Sequence, residues 1–263
     1  MSFGVNSNKS NESNQENDTV AIVPPYNNEI GSFDNPDSYP DCELVVDEKE
    51  KPLHLHRKIL AQASGKVKAM LDEGRGTKLE WPYDTTDEID GEAMMKALRF
   101  CYGETQFVGT KNGECIAMIV ALTRLQVSCL DEVVTTLSNF AVEEAKRKVE
   151  IGVELLKKCV GYKEMSGTNQ LTLDKKLAAI VLTKENMHEH NRDVVDECLM
   201  VLPPEYLDEV EFGEPHTRWS EFALRMKYVR CHAKELTKEE KHAMVAQCNM
   251  SMLNNQEIGR AHV

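Results

Sequence analysis

Hydrophobic and polar residues alternate along the chain first with the period of strands and then with the period of helices. The segment CELVVDEKEKPLHLH, residues 42–56, alternates around a charged turn, which predicts a two-stranded hairpin. Over residues 59–71 the apolar positions recur at helical spacing, which predicts one amphipathic helix that ends at Gly74. The segment KLEWPY, residues 78–83, predicts a short third strand.

The next part of the chain has the period of helices. A helix capped by Asp90 and ended by Gly103 is predicted first, and an almost wholly apolar helix follows over residues 114–127. A further helix is predicted over residues 131–140. The segment ETQFVGTKNGE, residues 104–114, reads as a loop between helices. Short strands followed by several helices predict an α+β fold for this region.

From about residue 142 the pattern is wholly helical, which predicts an all-α domain over residues 142–256. Thr237 and Glu240 have the spacing of a capping box at the start of the last predicted helix. One helix in this region has an apolar stripe that is expected to face the core. Its members are Trp219, Phe222, Ala223, Met226 and Val229.

The two ends of the chain differ from the rest. Residues 1–25 have few large apolar side chains and are expected to form a disordered tail. In the lead-in that follows, Pro36 and Pro40 predict extended backbone. The last six residues, IGRAHV, resemble the translation of a sequencing adaptor, so residues 257–263 are expected to be a non-native tail and a further C-terminal domain to be missing.

Charge and composition narrow the classes of function. The formal net charge of −13 argues against direct nucleic-acid binding, because phosphate would be repelled over most of the surface. No apolar run is long enough to span a membrane, and the N-terminus lacks the pattern of a signal peptide, so we expect an intracellular protein without a membrane partner. The eight cysteines, none in a C-x-x-C pair, are expected to be reduced core residues.

Three patterns could carry chemistry, and each also has a structural interpretation. His54 and His56 could form a metal pair at a strand end, but no further ligand stands nearby at metal spacing, which favours structural histidines. The sequence HEH at 188–190 has Arg192 where a zinc helix needs its second histidine. The segment SGKVK at 64–68 lacks the flanking residues of a phosphate loop. We therefore expect no catalytic residue, metal or cofactor.

Residues 41–46 (DCELVV) and 53–71 (LHLHRKILAQASGKVKAML) have the spacing of a known family of domains. With ALRFCYG at 97–103 and the apolar helix after it, this region resembles a BTB/POZ domain, assigned to residues 26–141. The resemblance implies a short, mainly antiparallel sheet with a helical cluster. The helical remainder, which contains LPPEYLDEVEF at 202–212, is similar to the BACK domain that often follows BTB.

The resemblance also implies which residues act. Asp41, His56 and Arg57 would form a polar cluster at the contact between two copies of a homodimer. A cullin would dock at the ends of two helices, and the expected contact residues are Leu71, Asp72, Glu73, Tyr102 and Glu104. The implied function is a non-enzymatic substrate adaptor of a cullin-RING ubiquitin ligase. The alternative is a self-associating BTB scaffold or transcription-linked protein without a cullin partner.

Overall fold

The computed structural model describes about two thirds of the chain. The described residues are 19–25, 33–45, 52–73, 78–80, 91–166, 172–183, 186, 192–200, 202, 203, 207 and 218–246. The predictions that concern Asp90, Cys248, residues 1–18 and residues 257–263 lie outside this part, as do the side chains of Trp219 and Phe222 in the apolar stripe.

A three-stranded sheet contains β2 (Cys42–Val45), β3 (Leu53–Leu55) and β4 (Lys78–Glu80), in the order β3-β2-β4. Strands β2 and β3 are antiparallel, with Cys42 opposite Leu55, as the predicted hairpin requires. Strand β4 lies on the other side of β2 and is parallel to it. The two hairpin strands are therefore confirmed, and the third strand is confirmed over residues 78–80, since residues 81–83 and the hairpin turn lie outside the described residues.

A second, two-stranded ribbon consists of β1 (Thr19–Ile22) and β5 (Gln106–Gly109) in antiparallel pairing. The expectation of a disordered tail up to residue 25 is wrong for β1, whose Ile22 is buried. The prediction of a loop over residues 104–114 is also wrong, because Gln106–Gly109 form β5. Both strands are too short for an alternating pattern of apolar residues to identify them. Each strand needs the other to satisfy its backbone hydrogen bonds.

Five helices lie in the described part of residues 57–147. They are α1 (Arg57–Ala63), α2 (Gly65–Asp72), α3 (Gly91–Cys101), α4 (Glu114–Leu125) and α5 (Leu130–Arg147). Gly103 has a φ of 88°, which confirms the left-handed residue predicted after α3. The order of strands and helices confirms the α+β fold class.

The single amphipathic helix predicted over residues 59–71 is wrong, because Ser64 divides it into α1 and α2. Ser64 is extended, and its hydroxyl donates to the carbonyl of Leu125 at 2.5 Å while accepting the N–H of Val67 at 3.1 Å. Ser64 also forms an isolated bridge with Val127. This buried serine therefore caps α2, and its second hydrogen bond connects the junction between α1 and α2 to the end of α4.

The described part of the C-terminal region is helical. It contains α6 (Val149–Ser166), α7 (Thr172–Val181), α8 (Arg192–Leu199), α9 (Arg218–Cys231) and α10 (Lys238–Ala246). In the predicted capping box, Glu240 accepts the Thr237 N–H at 2.7 Å, and Thr237 accepts the Glu240 N–H at 3.2 Å. The capping box is confirmed.

The face that α9 buries differs from the predicted stripe. Leu224 and Tyr228 are buried, whereas Ala223, Met226 and Val229 are only half-buried. The Tyr228 hydroxyl donates to the carbonyl of Leu202 at 3.0 Å, so a polar contact as well as apolar burial sets the rotation of α9.

The buried side chains form one continuous core. Leu44 of β2, Ile59 of α1 and Ile119 of α4 belong to the same cluster as Leu156 of α6. The predicted domain boundary at residues 141/142 falls inside α5, where Ala141 and Ala145 are both buried. No helix in the described residues is both long and apolar enough to cross a bilayer.

Candidate functional site

The lead-in to β2 forms a fixed loop. Its backbone makes a short 3₁₀ helix at Pro36–Ser38, where the sequence predicted extended chain. Asn35 caps this turn, because its side-chain oxygen accepts the Asp37 N–H at 3.0 Å and its carbonyl accepts the Ser38 N–H at 3.1 Å. Pro36 suits the first position of such a turn, since that position needs no N–H donor.

His56 connects this loop to two helices. Its ring Nε2 lies 2.9 Å from the carbonyl oxygen of Ser38, which can only accept, so Nε2 carries the proton. Its backbone N–H donates to the Tyr102 hydroxyl at 2.7 Å, and Nδ1 lies 3.2 Å from the same hydroxyl. The hydroxyl accepts the backbone N–H of His56 and lies within hydrogen-bond distance of Nδ1, so both ring nitrogens have partners.

Asp41 caps the first helix after the hairpin. Its Oδ1 accepts the backbone N–H of Arg57 at 2.7 Å, at the N-terminus of α1. The Arg57 Nε donates to the carbonyl of Asp41 at 3.2 Å. A carboxylate at this place satisfies an orphan helix donor and lies at the positive end of the helix dipole. We call Ser38, Asp41, His56, Arg57 and Tyr102 the lead-in cluster.

Tyr102 is held on its other side by an aromatic contact. The Phe33 ring meets it edge-on at 5.4 Å between centroids, and the Arg99 guanidinium lies 4.7 Å above the centre of the Phe33 ring. Burial raises the pKa of the Tyr102 phenol well above its usual range, although the hydrogen bond from His56 opposes the rise. The phenol is therefore a hydrogen-bonding group in this site.

The structure places Asp41 in contact with Arg57, beside His56. It separates Tyr102 from the predicted docking group, because this side chain is only 5% exposed and belongs to the lead-in cluster. Sequence reasoning did not identify Ser38 and Tyr102 as partners of His56. The available signal for Tyr102 was its helical spacing from Met94, Met95 and Leu98, which puts the four residues on one face of the predicted helix.

The other predicted docking residues lie at the ends of α2 and α3. Leu71 is half-buried against the core, and Asp72 and Glu73 are exposed. Glu104 is partly exposed and forms an ion pair with Arg99 at 3.3 Å. We call Asp72 and Glu73 the α2 acidic end, since they present two carboxylates to solvent at the end of one helix.

The cysteines of the described residues are free thiols, and most are buried. Burial raises the pKa of Cys115 and of Cys198 to about 12, and burial together with the nearby Asp41 raises that of Cys42 to about 11. Thiolates are the nucleophilic and metal-binding form of cysteine, so these side chains act as core residues. No group of three or more metal-ligating side chains occurs in the described ranges.

The family of the N-terminal region is settled by comparison. The BTB/POZ domain model matches residues 30–141. These residues form a BTB/POZ domain. Such domains are protein–protein interaction modules. No curated protein and no solved structure matches the chain.

The BTB domain contains both the lead-in cluster and the α2 acidic end. Helices α6 to α10 lie outside the matched residues. Helix α5 begins in the BTB domain and extends six residues beyond its last matched residue, 141. The lead-in cluster and the α2 acidic end are therefore the surface features of this interaction module that are available to a protein partner.

Proposed function

We propose that this protein is a non-enzymatic substrate adaptor of a cullin-RING ubiquitin ligase that self-associates through its BTB domain. The observation that carries the proposal is the BTB match over residues 30–141. In this proposal the protein acts by proximity, because joining a target to a ligase raises their effective concentration. The proposal also takes α6 to α10 as a BACK-like domain and places the protein inside the cell.

The lead-in cluster is the proposed self-association face. It combines an exposed carboxylate, Asp41, with a backbone fixed by His56 and Tyr102. A surface that is already ordered loses little conformational entropy on binding, which favours its use as an interface. Tyr39, next to the cluster, is 92% exposed and offers an aromatic contact at the same place.

The α2 acidic end is the proposed cullin contact. Asp72 and Glu73 are exposed, and their charges would favour a basic surface on the partner. The test is isothermal titration of the full chain with a purified cullin N-terminal region. We expect the D72K/E73K variant to bind at least about tenfold more weakly, because it replaces attraction by like-charge repulsion.

Glu143→Lys is the matched control, because it reverses another exposed carboxylate on the distant helix α5. It should bind the cullin like the wild type. E143K reverses one charge and D72K/E73K reverses two, so a loss of binding free energy in E143K about half as large as that in D72K/E73K would mean that only net charge matters, which contradicts the assigned contact. Absence of any cullin binding by the wild type would contradict the adaptor role.

The second candidate is a self-associating scaffold or transcription-linked protein without a cullin. One observation favours it: Tyr102, one of the residues expected to dock a cullin, is buried and hydrogen-bonded to His56. The same titration separates the two candidates. A folded wild type that self-associates but does not bind the cullin supports the scaffold.

A further inference from the structure

The outer edge of β5 is covered by two side chains rather than by a strand. Lys96 of α3 donates from Nζ to the carbonyl oxygen of Phe107 at 3.4 Å. Glu114, the first residue of α4, accepts the backbone N–H of Gly109 at 2.8 Å through Oε2. Lys96 also forms an ion pair with the other carboxylate oxygen of Glu114. We call Lys96 and Glu114 the edge pair.

The edge pair occupies the backbone groups that another strand would use. Phe107 and Gly109 are two residues apart, so their backbone polar groups point to the same edge of β5. The opposite edge is paired with β1. Among the described strands, the ribbon contains only these two, so the edge pair stands where a third strand would add.

The backbone groups that the edge pair covers are one acceptor and one donor, so they can pair with the same two groups of a second copy. If two copies of β5 meet antiparallel about a two-fold axis at Val108, Phe107 of one copy lies opposite Gly109 of the other. The Phe107 carbonyl of each copy would then accept the Gly109 N–H of its neighbour. These are the same acceptor and donor that Lys96 and Glu114 satisfy within one chain.

The side chains fit the same pairing. Phe107 is 64% exposed, although it is a large apolar residue in a strand. In the two-fold arrangement it would lie across from a glycine, and an aromatic ring opposite glycine on a neighbouring strand fills the space left by the missing side chain. The edge pair also lines an open pocket of about 370 Å³ with Glu92, Lys111 and Asn112, which leaves room beside it.

We propose that the edge pair is a removable cap that prevents β5 from pairing with β5 of a second copy of this chain. With the cap in place, the edge has its hydrogen bonds within the chain. Without it, Phe107 and Gly109 expose an unmet acceptor and donor beside an apolar ring, which favours edge-to-edge association. This inference is independent of the interfaces assigned under the proposed function.

The test compares the full-length wild type with the double variant K96A/E114A by sedimentation equilibrium over a range of concentrations. We expect the weight-average mass of the variant to rise with concentration above that of the wild type. The rise stops at about twice the wild-type mass if the wild type is a single chain, and continues beyond it if the wild type is a dimer, because a dimer presents two such edges. Hydrogen exchange at Gly109 should be faster than wild type in dilute variant and slower again in concentrated variant.

Two controls isolate the edge. E92A/K111A changes charges in the same pocket without touching β5 and should keep the wild-type mass. E114Q retains an oxygen that can accept the Gly109 N–H and should also keep that mass. The proposal is overturned if K96A/E114A has the wild-type mass at every concentration. Should that variant lose cooperative unfolding, E114A replaces it, and wild-type mass again overturns the proposal.

Discussion

Single hydroxyl and carboxylate groups determine how the lead-in attaches to the rest of the BTB domain. The Tyr102 hydroxyl contacts both the backbone N–H and the ring Nδ1 of His56. The Asp41 carboxylate accepts the first backbone N–H of α1, that of Arg57. Each of these contacts crosses between segments that are distant in sequence. The loss of one side-chain group should therefore loosen a whole segment of backbone.

Tyr102→Phe tests this at the level of one atom. The variant keeps the ring but leaves the buried backbone N–H of His56 and its Nδ1 without their partner, which should reduce the free energy of unfolding by about 1–3 kcal/mol. Urea denaturation provides the measurement. Tyr39→Phe, at a residue that is 92% exposed, is the control and should change stability by less than about 0.5 kcal/mol. Equal effects in the two variants would contradict the assigned role.

The buried thiols predict a loss of stability in alkaline solution. The pKa of Cys115 rises from the usual 9.0 to about 12 in the folded chain, so above pH 9 the unfolded state loses a proton that the folded state keeps. This contribution is complete below pH 9 and declines as pH rises toward 12. Urea midpoints between pH 8 and 10.5 should therefore fall, and C115A should show a shallower fall. An unchanged slope in C115A would contradict the assignment.

At the scale of elements, α10 depends on its capping box. Thr237→Ala removes the hydroxyl that accepts the Glu240 N–H, and should destabilise the first turn of α10 by about 1 kcal/mol. Hydrogen exchange of α10 amides is the measurement. Thr136→Ala, in the exposed middle of α5, is the matched control and should leave exchange in its helix almost unchanged. Slower or equal exchange in α10 of the T237A variant would contradict the prediction.

The capping box also predicts that the stability of the first turn of α10 depends on pH in acid solution. Hydrogen bonds from Thr237 lower the pKa of Glu240, so its stabilising effect is complete above the usual carboxyl pKa and is lost as pH falls through the lowered value. The protection of α10 amides should therefore weaken in acid more in the wild type than in T237A. Parallel pH profiles for the two proteins would refute this coupling.

Elements that rest on local pattern could be predicted, and those that rest on distant partners could not. The β2–β3 hairpin and the apolar α4 follow from the spacing of residues within each segment. The break at Ser64 could not be predicted, because its partner Leu125 lies 61 residues away. The β1–β5 ribbon was missed for the same reason, since two four-residue strands carry little periodic signal.

The candidate site shows the same division. Asp41, His56 and Arg57 were identified through family resemblance, and the structure places them in contact through the hairpin. Ser38 and Tyr102 required the tertiary arrangement, since neither is near His56 in the sequence.

At the scale of the whole molecule, the BTB domain and the helices that follow share one core. Helix α5 runs from the first region into the second, and Ala145 near its end is buried with Leu156 of α6. We therefore expect a single cooperative unfolding transition for the described core. Coincident urea transitions by far-ultraviolet circular dichroism and Trp fluorescence would support this expectation, and two separated transitions would contradict it.

The central claim is that the BTB domain works by binding protein, beginning with a second copy through the lead-in cluster. The most direct measurement is sedimentation equilibrium of the wild type and of Asp41→Asn, because asparagine retains the cap on α1 but removes the charge. The account predicts twice the mass of one chain for the wild type. For D41N it predicts weaker association with only a small loss of thermal stability, because asparagine retains the cap but loses the charge at the end of the helix dipole. A wild type with the mass of one chain at every concentration would contradict it.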